Sequence, residues 1–88
     1  MLRPEFSNSF KRDYKKIKKQ SRDILLMKVI MDDLVNEKRL PVKNRDHALA
    51  GNYAGYRACH IQPDWVLIYK VVGNIIVFSR TGSHSEIY

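Results

Sequence analysis

The spacing of apolar residues in this 88-residue chain switches from helical to extended about half-way along. Leu2 to Phe6 reads as a short strand with Leu2 and Phe6 on one face. Pro4 confines that strand to an edge or an irregular position, because proline offers no N–H to a ladder. Phe10, Tyr14 and Ile17 then follow at spacings of four and three, one stripe of a helix, with Ser7 expected as its N-cap and lysines on the opposite face. Ser21 is expected to cap a second helix. Its stripe is Ile24, Met27, Met31 and Leu34, widened by Leu25, Ile30 and Val35, and Pro41 stops it after a run-out over residues 36–40. The short link around Lys19 to Ser21 predicts a helical hairpin.

Residues 41–54 have no clear period, and a connection that long in a small domain is usually functional. Strands follow. Tyr56, Ala58 and His60 alternate with Arg57, Cys59 and Ile61, so the two sets face opposite ways. Residues 62–64 form a turn. Trp65 to Val72 is a nearly continuous apolar run, as in a central strand covered on both faces. Gly73-Asn74 is a two-residue hairpin signal, and Ile75 to Arg80 is the next strand. Residues 81–84 read as a polar loop. The predicted class is α+β: an N-terminal strand, a two-helix hairpin, then a three-strand antiparallel meander, giving a small four-stranded sheet in one domain spanning residues 1–88.

Charge changes this picture. The net charge is +7. Arg3, Lys11, Arg12, Lys15, Lys16, Lys18, Lys19 and Arg22 stand against only Glu5 and Asp13 in the first 22 residues, so +6 of it lies there. Such asymmetry is a footprint for a polyanion. Nucleic acid is the leading partner, and an acidic protein that covers the same surface is the second. No apolar stretch exceeds Trp65 to Tyr69, far short of the ~18 residues of a membrane span. Met1 to Phe6 shows no apolar signal region, so export is not expected. The single cysteine, Cys59, allows no intrachain disulfide, and a reducing cytoplasm is the expected location.

The candidate chemistry is concentrated in the second half: all three histidines (His47, His60 and His84) with Asp64 and Arg80. Histidine exchanges protons near neutrality, and arginine can hold phosphate through two parallel hydrogen bonds. A metal site is disfavoured, because Pro63 breaks the helical geometry that would make His60 and Asp64 a compelling pair. A covalent nucleophile is also disfavoured. Cys59 and His60 are adjacent on a strand and point apart, and no serine sits on a nucleophile elbow. Acid–base cleavage of RNA fits best, without metal or small-molecule cofactor. The 2′-OH attacks the neighbouring phosphorus while a base takes its proton, an acid protonates the leaving 5′ oxygen and a cation stabilises the phosphorane.

The segments Asp46-His47-Ala48-Leu49-Ala50-Gly51, then Gly55-Tyr56-Arg57 through His60 and Pro63-Asp64-Trp65, then Arg80-Thr81-Gly82-Ser83-His84 resemble the YafQ branch of the RelE/ParE toxin superfamily. The resemblance covers nearly the whole chain and is strongest over residues 46–84. It implies a toxin of a type II toxin–antitoxin pair that cuts mRNA in the ribosomal A site, with a helical hairpin on a small, mostly antiparallel RelE-like sheet. It also implies a cognate antitoxin that wraps the toxin. The family's site positions fall on His47, His60, Asp64, Trp65, Arg80, His84 and Tyr88, the last often phenylalanine in related chains.

Within that resemblance, His84 is expected as general acid and Asp64 as general base, helped by His47 or His60. A carboxylate with a reference pKa near ~3.9 is a weak base, so Asp64 would need a raised pKa; otherwise a histidine takes its place. Arg80 is expected to bind the scissile phosphate. Trp65 and Tyr88 are expected to stack on bases, and Arg57 either touches RNA backbone or braces the sheet. Lys15, Lys16, Lys18 and Lys19 suit ribosomal RNA phosphates. A gyrase-poisoning toxin of the ParE branch and a non-catalytic RNA-binding module are the competing readings.

Overall fold

A computed structural model describes residues 1–88. Strand β1 (Arg3–Phe6) leads into helix α1 (Asn8–Lys19), and helix α2 (Ile24–Val35) folds back as the second arm of a hairpin. The short strand β2 (His47–Ala48) follows. Then come β3 (Arg57–Gln62), β4 (Trp65–Val72), β5 (Ile75–Gly82) and a short C-terminal helix, α3 (His84–Ile87). The sheet order is β1-β5-β4-β3-β2, with β1 parallel to β5 and every other pair antiparallel. The class is the predicted α+β, and Pro4 does lie on an edge strand. The sheet has five strands rather than four. The extra one, β2, is two residues long, too short to show a period, and it forms by pairing His47 with Ala58 and Ala48 with Arg57.

Ser7 caps α1 as predicted: its Oγ accepts the Phe10 N–H at 3.0 Å and donates to the Ser79 carbonyl at 2.8 Å. Phe10 and Ile17 are buried on the predicted stripe, and Lys16, Lys18 and Lys19 in the last turn favour the helix dipole. Ser21 does not cap α2. It takes a left-handed turn (φ 58°) and its N–H bonds back to Lys18 O, so it ends α1. Asp23 is the N-cap of α2, accepting the Leu26 N–H at 3.2 Å. Met27, Ile30 and Leu34 are the buried stripe of α2, Met31 is only partly covered and Leu25 is exposed. The helix stops at Val35, and Glu37 turns the chain with φ 59°.

The aperiodic connection contains two 3₁₀ turns, Val42–Asn44 and Gly51–Tyr53, on either side of β2. Asn44 is buried there and donates Nδ2 to the His60 carbonyl at 2.8 Å, which ties the connection to β3. Gly73 and Asn74 make the predicted tight turn, Gly73 at φ 60°. The expected polar loop after residue 80 is instead the end of β5 followed by α3. Ser83 and Glu86 form a capping box there: Ser83 Oγ accepts the Glu86 N–H at 3.3 Å, and Glu86 Oε1 accepts the Ser83 N–H at 2.8 Å.

Alternation along β3–β5 divides the core in two. Cys59, Ile61, Trp65, Leu67, Tyr69, Ile76 and Phe78 face the helices and form one cluster with Phe10, Ile17, Met27, Ile30 and Leu34. Ala58, Val66 and Ile68 face the other way and are covered only by Ile87, Leu49, Tyr53 and Tyr56. Between the pairs Tyr69–Phe78 and Ile68–Arg80 the register shifts, which leaves Ser79 as the extra residue of a bulge.

Candidate active site

Residues paired across a sheet share a face, so strand register decides which side chains can meet. His47 pairs with Ala58, Ala58 with Ile68 and Ile68 with Arg80. His47 and Arg80 therefore lie in one row across four strands, on the face away from the helices. The next row is His60, Val66 and Gly82. His84 follows two residues after Gly82, at the start of α3, where the chain turns back over that face.

Three imidazoles form a chain there. The His47 and His60 rings are 6.3 Å apart and the His60 and His84 rings 5.2 Å apart. His60 Nε2 and His84 Nε2 approach to 3.3 Å, so one donates to the other. Asp64, on the β3–β4 turn, receives both the main-chain N–H of His84 at 3.4 Å and its ring Nδ1 at 3.3 Å. His84 Nδ1 thus carries a proton, and its Nε2 side is directed into the cluster. His47 Nδ1 lies 2.7 Å from the Arg45 carbonyl. A carbonyl only accepts, so Nδ1 carries the proton and neutral His47 presents a bare Nε2.

His60, between the other two, has its pKa lowered. Burial is the main cause, followed by the electrostatic influence of the neighbouring His84, Arg45 and His47 side chains. Its Nδ1 is buried without a partner. Arg80 is bound by Asp13 of α1, Nε to Oδ2 at 2.7 Å and Nη2 to Oδ1 at 3.3 Å. That hydrogen bond is the main cause of its raised pKa, against an opposing effect of burial. An aromatic wall flanks the rings: Tyr88 lies 5.9 Å from both His84 and Tyr53, and Tyr53 meets Tyr56 edge-on at 6.0 Å.

The structure brings together His47, His60, Asp64 and His84, puts Arg80 in the row of His47, and leaves Tyr88 exposed beside them. It separates two others. Trp65 has no exposed surface and lies on the helix side, donating Nε1 to Thr81 Oγ1 at 2.8 Å. Core packing thus replaces its expected stacking on a base. Arg57 pairs in register with Tyr69 on the helix side, and its Nε donates to Asp46 Oδ1 at 3.2 Å, where the Tyr69 hydroxyl also donates at 2.8 Å. Arg57 braces the sheet and points away from the imidazoles.

Lys15, Lys16, Lys18 and Lys19 are exposed on α1. Lys16 is tied to Glu86 of α3 at 2.9 Å, and Lys18 lies over the Tyr14 ring. Asp13, Arg45 and Tyr53 also border the site, and none of them belongs to a sequence motif. Asp13 left one trace, as the only acid inside the basic run of α1. Arg45 and Tyr53 sit in the aperiodic connection and left none. Asp64 and the histidines are metal-ligand types, but no three His, Cys, Asp or Glu side chains converge at ligand spacing.

A helical hairpin thus lies on one side of a small mixed sheet, and a cluster of three imidazoles and an anchored arginine lie on the other. Residues 2–88 match the family described as bacterial toxin of type II toxin–antitoxin system, YafQ. The mRNA interferase toxin YafQ of Escherichia coli strain K12 is 38% identical over 85 residues, covering 96% of this chain and 92% of that protein. The crystal structure of YafQ from Escherichia coli strain BL21(DE3) superposes with a TM-score of 0.94 at 35% identity, covering 100% of this chain and 99% of that one. YafQ in the Escherichia coli DinJ–YafQ complex gives 0.93 at 36% identity, with coverage of 100% and 99%. The chain belongs to the YafQ family of type II toxin–antitoxin toxins.

Proposed function

We propose that this chain is an mRNA interferase, an endoribonuclease that cuts mRNA held by the ribosome and is silenced by a cognate antitoxin. The observation that carries the reading is the pairing register: it sets His47 and Arg80 in one row and His60 in the next, where the Asp64-bound His84 of α3 meets it. In-line cleavage needs a base and an acid on opposite sides of phosphorus, and His47 and His84, on either side of His60, take those two roles in this reading. His47 Nε2 takes the 2′-OH proton as that oxygen attacks phosphorus. The bond to the 5′ oxygen breaks, and His84 supplies the proton that oxygen needs. The products are a 2′,3′-cyclic phosphate and a 5′-OH.

Arg80 neutralises the phosphorane, His60 stays neutral between the two transferring rings, and Tyr88 offers a ring to a base. Asp64 moves from base to orienting partner: its side chain is 76% exposed, and its Oδ1 is engaged by His84. The exposed lysines of α1 face ribosomal RNA phosphates. The antitoxin reading rests on the complex of the Escherichia coli relative with DinJ. The description of that relative as an mRNA interferase favours RNA chemistry over gyrase poisoning or a binding-only module.

Primer extension on mRNA from cells expressing the chain tests this. In-frame cuts within codons are expected. His84→Ala should lower cleavage by about 10²–10⁴-fold, the usual worth of one positioned proton transfer, with ribosome binding nearly intact. Unchanged cleavage in that variant would remove His84 from the reaction.

A further inference from the structure

Strand β1 pairs with β5 only as far as Phe6 and Phe78. There Ser7 leaves the sheet to begin α1, so the outer edge of β5 from Ser79 to Gly82 has no strand partner. That stretch carries Arg80 and leads directly into His84. Side chains of α1 and its cap take the place of the missing strand. Ser7 Oγ donates to the Ser79 carbonyl, and Asp13 Oδ2 accepts the Thr81 N–H at 3.1 Å. The same carboxylate oxygen accepts Arg80 Nε at 2.7 Å, and the other takes Nη2 at 3.3 Å. Only 14% of the Asp13 side chain and 28% of the Arg80 side chain are exposed, so this pair is more sheltered than the Lys16–Glu86 pair beside it.

The geometry of guanidinium gives the contact its meaning. The group is planar and has two bidentate edges: a side edge made by Nε and Nη2, and an end fork made by Nη1 and Nη2. Asp13 occupies the side edge. Three of the five N–H donors lie outside that contact, including the whole of Nη1, and the Tyr53 hydroxyl lies close to the group. A carboxylate so placed also opposes phosphate binding by its charge. A gain in phosphate affinity is therefore not what it supplies. It supplies a fixed direction for the end fork, together with a fixed position for the strand end that carries it.

We infer that Asp13 is a positioning residue that seats Arg80 end-on toward the scissile phosphate by occupying its side edge and the open edge of β5. This rests on the reading of Arg80 as the phosphate ligand. The test is single-turnover cleavage of mRNA on programmed ribosomes by the full chain, comparing Asp13→Asn, Arg80→Lys, Arg80→Ala and the Asp13→Asn/Arg80→Ala double variant. Asn keeps an acceptor for the Thr81 N–H and loses the charged fork. Asp13→Asn should slow the saturated rate by roughly 10- to 10²-fold, the scale of a misplaced reacting group, with half-saturation unchanged or lower. It should cost nothing further once Arg80 is alanine.

Arg80→Lys keeps the charge but cannot present the fork. It should fall in the same range, and it gives an answer that does not depend on how Asp13→Asn folds. A wild-type or faster rate in Asp13→Asn, or in Arg80→Lys, would overturn the inference while Arg80→Ala remains inactive. So would an equal fold-loss from Asp13→Asn with and without Arg80. If Arg80→Ala itself cleaves at the wild-type rate, the phosphate reading falls, and the role of Asp13 falls with it.

Discussion

The two faces of the sheet are built from the same strands and obey different rules. On the helix side, Trp65, Leu67, Ile76 and Phe78 have no exposed surface, and polar groups are few and paired, as Trp65 Nε1 is with Thr81. On the other side the buried apolar cluster is small, Ala58, Val66 and Ile68 with Ile87 of α3, under a thin cover of loop residues. The ring atoms around them are left for chemistry. His60 combines both conditions: one nitrogen is sealed without a partner and the other is shared with His84. A sheet this small thus keeps its packing on one face and spends the other on a site. A one-residue slip of β3 would exchange the two, carrying Cys59 and Arg57 to the site and His60 to the core.

The contrast can be broken at its strongest point with Trp65→Ala. This should cost about 3–5 kcal/mol of folding stability in a urea melt, as large-to-small core changes do. Cleavage per folded molecule should be retained far better than in His84→Ala. Next in size is charge. Reversing Lys15, Lys18 and Lys19, and sparing Lys16 because of its bridge to Glu86, should weaken ribosome binding and flatten its salt dependence by about one unit of slope per lysine. Binding that does not respond to salt would reject the footprint.

Tyr88→Ala is the counterpart of Trp65→Ala on the other face. It should leave the melt nearly unchanged and weaken substrate binding by roughly 1–3 kcal/mol if one base stacks there. The smallest effects come from pH. The lowered pKa of His60 means that the unfolded chain takes up the proton first as pH falls below 6.5. Stability is therefore full above 6.5 and declines below it. Glu86, held down to about 2 chiefly by the Ser83 backbone N–H and then by Lys16, adds stability above 4.5 that is lost as pH falls toward about 2. His60→Gln should flatten the first limb and Glu86→Gln the second.

What could be read from the chain follows from the range of the interactions. The Ser7 cap, the α1 stripe and the Gly73-Asn74 turn are local, and they appear where the pattern put them. Ser21 and Asp23 are both good caps two residues apart, and only a left-handed backbone at Ser21 decides between them. β2 exists through partners on β3 and has no pattern of its own. Arg57 was legible, because alternation already set it opposite His60. Trp65 was not: the pairing shifts between His60 and Gln62, so parity does not carry across the turn. The candidate histidines could be listed but not arranged, since their meeting depends on register over four strands. The Arg80–Asp13 contact spans 67 residues, beyond any local signal.

The parallel pairing of β1 with β5 also sets an order of events. Ser7 bonds to Ser79 across 72 residues, so the first strand has no partner until β5 has been made. Contacts this distant in sequence form slowly, because a long loop must close first. The arginine-bearing end of β5 emerges 67 residues after Asp13, and it becomes anchored only when α1 closes over it. A toxin built this way cannot complete its site until β5 has been made and has met α1.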